Sequence, residues 1–388
     1  MPLLAHTIAA SVWNLAGLRS RRGSSLVVVL GTACVVGVML SVLSVAAGMG
    51  RASKNGADPR NAIVLATEAA AEGASSVSRD TCATLTQAPG VAQGSDGRFA
   101  VDCEILVPLA PPEGFAWGTL FLRGVGTEGL SLRPQYRIVA GHSFRPGLHE
   151  LIVGMGASRI FGLKVGDKVI LPDGEWPIVG VFTSDGGVLE SELVSDAATV
   201  MASARSTSFN SVLLRLEAPA RFAELTRWLA RNPGLQVTAE RQRDFYIRTA
   251  APFMGFFSSL AYFVAGILAI GALFGTLSVM YGRVRARARE ITTLRVFGFG
   301  GLPIALSVLM EATLLSLAGA LLGTAVALLL VNGKQSLVVH TVFELSVTPY
   351  FIAIGFVWAL AISLIGSLLP AIRAARITVA EGLREYTV

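Results

Sequence analysis

Apolar and polar positions along the chain follow two regimes. In four stretches the apolar residues run on without interruption: Leu26 to Ala47, Phe253 to Tyr281, Leu302 to Val331 and Phe351 to Leu369. A helix of about 20 apolar residues crosses the hydrocarbon core of a bilayer, so each stretch is expected to span a membrane. The first, LVVVLGTACVVGVMLSVLSVAA, contains no charged residue. Arg19, Arg21 and Arg22 precede it, as basic residues precede a signal peptide. A signal peptide's apolar region is only about 7–15 residues, so an uncleaved anchor is expected here. The spans are therefore arranged one plus three.

Between the first and second spans the pattern changes. "NAIVLATE" (61–68) reads as a strand, "SVSRDTCATLTQA" (76–88) as a helix and "FAVDCEILVPL" (99–109) as a strand. The order recurs in "FNSVLLRL" (209–216), "PARFAELTRWLARN" (219–232) and "LQVTAE" (235–240), where proline opens the helix and Pro233-Gly234 closes it. Two such units predict a split, ferredoxin-like α+β fold. The middle, roughly 110–205, carries short strand-like runs ("TLFLRGV", "HELIVG", "DKVILP", "EWPIVGVF") broken by Gly, Pro and Asp. A mostly β insertion is expected there. The predicted fold class is an α-helical membrane protein with four transmembrane helices and one large α+β domain.

Charge orients this arrangement. The chain has 32 Lys and Arg against 26 Asp and Glu, 53% hydrophobic and only 15% charged residues, and a mean hydropathy of +0.61. The basic residues cluster before the first span, between the second and third, and after the fourth (Arg373, Arg376, Arg384), whereas 332–350 holds only Lys334. By the positive-inside rule all three basic segments are cytoplasmic. The surplus charge thus reports topology, and no nucleic-acid partner is expected. The resulting division is 1–24 cytoplasmic N-terminal helix, 25–47 first span, 48–250 periplasmic domain, 251–281 second span and 282–301 cytoplasmic helix. It continues with 302–331 third span, 332–349 short periplasmic loop, 350–370 fourth span and 371–388 cytoplasmic tail.

Enzymatic signatures do not assemble. GxxxxGK[ST], HExxH and CxxC are absent, and His142 and His149 lie seven apart in a Gly/Pro-rich loop that reads as solvated. The acidic run "SDGGVLESELVSD" (184–196) lacks EF-hand spacing and reads as a polar rim on a β domain. No metal site is expected. Cys34 falls inside the first span and reads as packing. Cys82 and Cys103 form either a disulfide or two buried thiols. Gly271 with Gly275, and Gly319 with Gly323, permit close helix approach, either within one subunit or at a dimer seam.

The loop "RVRARAREITTLRVFGFG" (283–300) is basic and helical in rhythm. Arg287, Glu290 and Leu294 share a face at three- and four-residue spacing, with Ile291 and Arg295 beside it. A lone amphipathic helix needs a partner groove or the lipid surface to cover its apolar stripe.

At these residues the chain resembles the FtsX-like permease domain of MacB-type ABC transporters. That family's loop ends in a form like R-E-[IF]-x-x-L-[RK]-x-[LIM]-G, met here by Arg289, Glu290, Ile291, Leu294, Arg295 and Gly298, with Phe297 in place of the commoner aliphatic. Glu311 then follows in the third span. The tail "PAIRAARITVAEGLR" (370–384) is similar to PAxRAAxxxPxEALR through Pro370, Arg373, Ala374, Ala375, Glu381, Leu383 and Arg384, with Arg376 completing its basic run. It departs at Val379 and Gly382.

The resemblance implies a permease that is not itself an enzyme, working by mechanotransmission in a bacterial inner membrane. Its partners would be a cytoplasmic ABC ATPase dimer, which holds the ATP and Mg, a second or sister permease, and a periplasmic adaptor or chaperone. The chain itself would carry no cofactor. The loop 282–301 would be the coupling helix, with Arg287, Arg289, Glu290, Ile291, Leu294, Arg295 and Gly298 at the ATPase. The alternative within the same machinery is a non-transporting regulator of a periplasmic cell-wall hydrolase.

Overall fold

The computed structural model describes residues 22–94, 97–110, 119–126, 129–338 and 340–377. Most of the N-terminal segment 1–24, and the tail residues Glu381, Leu383 and Arg384, lie outside them. The chain divides into two compact units. One takes the chain up to Ala46, Phe256–Asn332 and the chain from Ser346; the other takes Ala47–Gly255 and Gly333–Leu345.

In chain order the elements are α1 (Arg22–Asn55), β1 (Asn61–Ala66), α2 (Arg79–Leu85), β2 (Val101–Leu109), β3 (Leu120–Val125), β4 (Arg137–Gly141), β5 (Leu151–Gly154) and α3 (Met155–Phe161). There follow β6 (Lys168–Leu171), β7 (Gly174–Thr183), β8 (Glu192–Asp196), α4 (Ala197–Ser203), β9 (Ser211–Arg215), α5 (Phe222–Arg231) and β10 (Val237–Arg241). The chain continues with α6 (Gln242–Ala286), α7 (Ala288–Val296), α8 (Gly301–Leu330), β11 (Gln335–Val338), β12 (Thr341–Glu344) and α9 (Pro349–Arg376). Helices α1, α6, α8 and α9 are long and apolar enough to cross a membrane. This is a membrane protein with four such helices and a large α/β domain.

In the helical unit the packing relies on small residues. A Cβ on Gly319 would lie 2.6 Å from the carbonyl oxygen of Val29, and one on Gly323 would lie 2.5 Å from that of Ala33. This pair therefore seats α8 against α1 within one chain, by backbone approach that only glycine permits. Gly271 meets nothing within 4 Å, and Gly275 only Val27 at 3.8 Å. Helix α1 runs through the middle, with Val35, Val36, Met39 and Leu40 fully buried. Cys34 is exposed, so it does not serve the helix core.

The α/β unit is built on one mixed sheet of order β10-β1-β9-β2-β3-β8-β5-β7-β4, with β6 beside β7. The first four strands are antiparallel, with Val64 opposite both Ala239 and Val212, and Cys103 opposite Val212. β1 is buried on both faces. Ala62 and Val64 meet Leu85, Leu225 and Leu229 from the α2 and α5 side, whereas Ile63 and Leu65 meet Phe245 and Tyr246 from the start of α6. That explains why NAIVLA reads as a continuous apolar run rather than an alternating one.

The insertion continues the same sheet. Leu122 pairs with Leu193 in a parallel β3–β8 ladder, and Trp176, Leu151 and Val153 anchor the core below α3 and α4. Cys82 on α2 and Cys103 on β2 are joined as a disulfide with Cα atoms 6.3 Å apart.

Two expectations about this unit change. The segment 332–349, taken as a short loop, holds the hairpin β11–β12, whose Leu337 and Val342 enter the core around Trp176. The acidic run 184–196 is no polar rim, because Glu190, Glu192 and Asp196 are buried and Glu192 to Asp196 form the central strand β8.

Candidate functional site

Helix α6 breaks at Arg287, which has non-helical dihedrals, and α7 starts at the next residue. The loop is therefore not one helix: Arg283 and Arg285 belong to the last turn of α6. Phe297 ends α7, and Gly298 follows at φ +87°, a left-handed exit that glycine makes without strain.

Three residues hold α7 inward. Glu311 on α8 pairs with the Arg283 guanidinium, and Arg287 Nη1 reaches its Oε2 at 3.3 Å. Arg283 Nη2 also donates to Ser25 Oγ at 2.5 Å. All three charged side chains are less than a tenth exposed. A buried carboxylate with two arginines is stable only when such pairing is made, and here it ties the break before α7 to the neighbouring helix. Ile291 packs with Met280, Val284, Ile304 and Val308. The Arg295 guanidinium donates to the carbonyl oxygen of Ala375, in the last turn of α9, where helix carbonyls lack intrahelical partners. A Cβ on Gly301 would lie 2.7 Å from that same oxygen, so the approach of α8 to α9 needs glycine there.

What remains outward on α7 is a different set. Arg289, Glu290 and Thr293 are exposed. Val296 is 67% and Phe297 76% exposed. Leu294 is half-buried and lines a cavity of about 430 Å³ with Val284, Phe299 and Val308. Arg287, Ile291 and Arg295 thus serve the anchoring of α7, while the exposed side chains of Glu290 and Arg289 stand on its outer face. Sequence reasoning missed Val296 and Phe297 as the outward apolar pair. The signal was present in Phe297, the one loop position where a bulky ring replaces the family's aliphatic.

Of the tail motif, Pro370 is buried within α9, and Arg373 and Arg376 stand exposed in its last turns. The His142 ring bonds to the Ser143 carbonyl at 2.8 Å. His149 stacks on Trp176 at 4.5 Å and lies 3.4 Å from Asp173. Among the described residues no three His, Cys, Asp or Glu come together as a metal site.

With four membrane helices, an α/β domain and an anchored amphipathic helix between the second and third of them, the class is a polytopic membrane protein. The family model described as FtsX-like permease C-terminal matches residues 262–379, a stretch that runs from within α6 through α7 and α8 to just past the end of α9. Among solved structures, the chain is similar to the extracellular domain of the noncanonic ABC-type transporter YknZ from Gram-positive bacteria. The likeness has 15% identity and a TM-score of 0.35, covering 46% of this chain and 99% of that one. None of the curated proteins matches the chain.

Proposed function

We propose that the chain is the permease subunit of an ATP-driven ABC system. In this reading it turns ATP hydrolysis by a separate cytoplasmic ATPase into movement of its α/β domain, for export or extraction of a substrate. The observation that carries the reading is α7: clamped inward by Glu311, Ile291 and Ala375, yet presenting Val296 and Phe297 to the outside beside Arg289 and Glu290. An exposed apolar pair rimmed by opposite charges on a rigid support suits a protein groove. The family match over 262–379 supports an ATPase partner. The chain itself then needs no cofactor, with ATP and Mg held by that ATPase.

Two copies of the permease, or one with a sister, would match a dimeric ATPase, and a periplasmic adaptor or chaperone would meet the α/β domain. That domain would lie in the periplasm, with both termini in the cytoplasm of a bacterial inner membrane. Its first four strands follow the order fourth, first, third, second, with α2 and α5 as crossovers, which supports the split ferredoxin-like reading.

Two measurements test this. Phe297→Asp is expected to weaken ATPase association by about 2–4 kcal/mol, the usual cost of truncating a central interface contact. The permease should remain inserted and folded. Retention of full ATPase binding would make α7 a helix of the membrane surface instead, since basic amphipathic helices also lie on anionic lipid. For topology, a cysteine at exposed Glu175 and another at exposed Thr293 should label from opposite sides of the membrane. Labelling from one side would overturn the orientation.

A further inference from the structure

The acidic turn between β7 and β8 belongs neither to the coupling helix nor to an ordinary loop. Within the α/β unit, two segments that run on into membrane helices converge on it. From one side comes the end of α1. Asn55 Nδ2 donates to the Asp185 carbonyl at 2.9 Å. Gly56 and Gly187 touch backbone to backbone, so that a Cβ on Gly187 would lie 2.6 Å from the Gly56 Cα.

From the other side comes the hairpin β11–β12, the stretch that joins α8 to α9. The Ser191 hydroxyl accepts from the Val342 N–H at 2.7 Å and donates to the Val342 carbonyl at 3.3 Å. Gly156 admits the same strand closely, with a would-be Cβ 3.0 Å from Val342 Cγ1 and 2.9 Å from the Glu190 carbonyl. A Cβ on Gly48 of α1 would fall 2.5 Å from the Glu344 carbonyl, so α1 and the hairpin also bear on each other.

The turn is itself stiffened. Glu190 Oε1 accepts from the Thr183 hydroxyl (2.6 Å), the Ser184 N–H (2.6 Å) and the Gly186 N–H (2.9 Å). The next acid, Glu192, continues into β8 and grips Arg123 at 2.6 Å in the middle of the sheet. With Glu190 and Glu192 committed to protein donors, a cation has little to bind there. A rigid piece touched on two sides by different helices' extensions, and fused to a central strand on the third, is built to pass displacement.

We infer that the turn Gly187–Glu192 is the mechanical junction of the molecule, where α1 and the hairpin between α8 and α9 deliver their movement to the sheet, with Glu190 and Ser191 as positioning residues. The inference rests on the proposed mechanotransmission.

The test is independent of the ATPase, so that its outcome is separable from that of the Phe297 variant. Gly323→Val drives a side chain into the Ala33 carbonyl and changes the spacing of α8 and α1, the two helices that feed the junction. Hydrogen exchange is then followed in the full chain in lipid nanodiscs, at amides of 151–154, 178–183 and 192–196. The wedge is expected to change exchange there by at least roughly tenfold. Combined with Ser191→Ala, which removes both hairpin bonds without changing volume appreciably, the change should fall below about twofold. Gly48→Ala, which pushes the hairpin from the α1 side, serves as the second release variant. A wedge that changes nothing in the sheet overturns the junction. So does a wedge whose effect is the same with Ser191→Ala and with Gly48→Ala.

Discussion

Among the described residues, two buried ion networks are built around hubs of opposite sign. In the α/β unit the hub is a cation. Arg123 donates to Glu104 and Glu192 at 2.6 Å and to Glu72 at 2.7 Å, and Arg133 joins through Glu104. In the helical unit the hub is an anion, Glu311, shared by Arg283 and Arg287. The difference decides what each can do when its hub is lost. Orphaned carboxylates can take up protons and become neutral, whereas orphaned arginines cannot shed theirs at any accessible pH. The α/β domain therefore has a reserve against electrostatic failure, and the anchor of α7 has none.

Removing the cationic hub should show the larger effect. Arg123→Met is expected to destabilise the α/β domain by about 3–5 kcal/mol at neutral pH, because three carboxylates on different elements lose their common partner. Thermal unfolding of the full chain should show partial recovery as the pH is lowered toward 5. Equal loss at both pH values would mean that the carboxylates find other cations, and the asymmetry between the hubs would disappear.

Removing the anionic hub should cost less and recover nothing. Glu311→Gln keeps one acceptor for two guanidinium groups, and a loss of about 2 kcal/mol is expected, as for hydrogen bonds to charged groups. Between pH 5 and 8 the loss should stay constant. The same variant should loosen α7 and accelerate backbone exchange over 288–296. A variant that recovers in acid would show that the network is governed by some other titrating group.

The two networks also differ in how far they could be read from the sequence. Glu311 stands in an apolar run, where a lone carboxylate announces itself, and the arginine-rich loop nearby suggests its partners. Arg123 gave no such signal. It lies in "TLFLRGV", a strand pattern in which one basic residue ordinarily points to solvent, and its three partners come from segments as distant as 72 and 192. The six principal segments of the two β-α-β halves follow from apolar runs and proline or glycine stops, because their burial is local and periodic. β8 was hidden because Glu192 is buried by pairing with distant Arg123 and Asp196 by capping the next helix at Thr199, both of which period-two reading takes as exposure. The hairpin was hidden for a related reason. "KQSLVVHTVFEL" carries no turn signal of its own, and its folding depends on Ser191 and Trp176 far back in the chain. For α7, the periodicity indicated an amphipathic helix correctly, but assigning the inward face required knowing where Glu311 and Ala375 lie.

The smallest expected effect concerns the member of the cationic network that sits nearest to neutral. Asp102 is buried, and its Oδ1 accepts from the Gly126 N–H at 2.7 Å. Burial, and then the charge of Glu104, hold its carboxyl well above the usual 3.8, against the pull of Arg133. Glu104 itself is brought below its ordinary value, since Arg133 and Arg123 outweigh its burial. Folding therefore binds a proton at Asp102. Its contribution to stability is complete below pH 3.8 and is lost as the pH rises through the raised native value. Asp102→Asn keeps the shape and removes the titration. Relative to this variant, the wild type should lose stability as the pH is raised from about 4 to 8, while the slope due to Glu192, whose carboxyl burial also raises, cancels because both proteins share it. Paired denaturation curves across that range decide the matter. A stability difference that stays flat, or that grows in favour of the wild type with rising pH, would show Asp102 ionised in the native state and would remove the proton reserve on which the contrast between the two hubs depends.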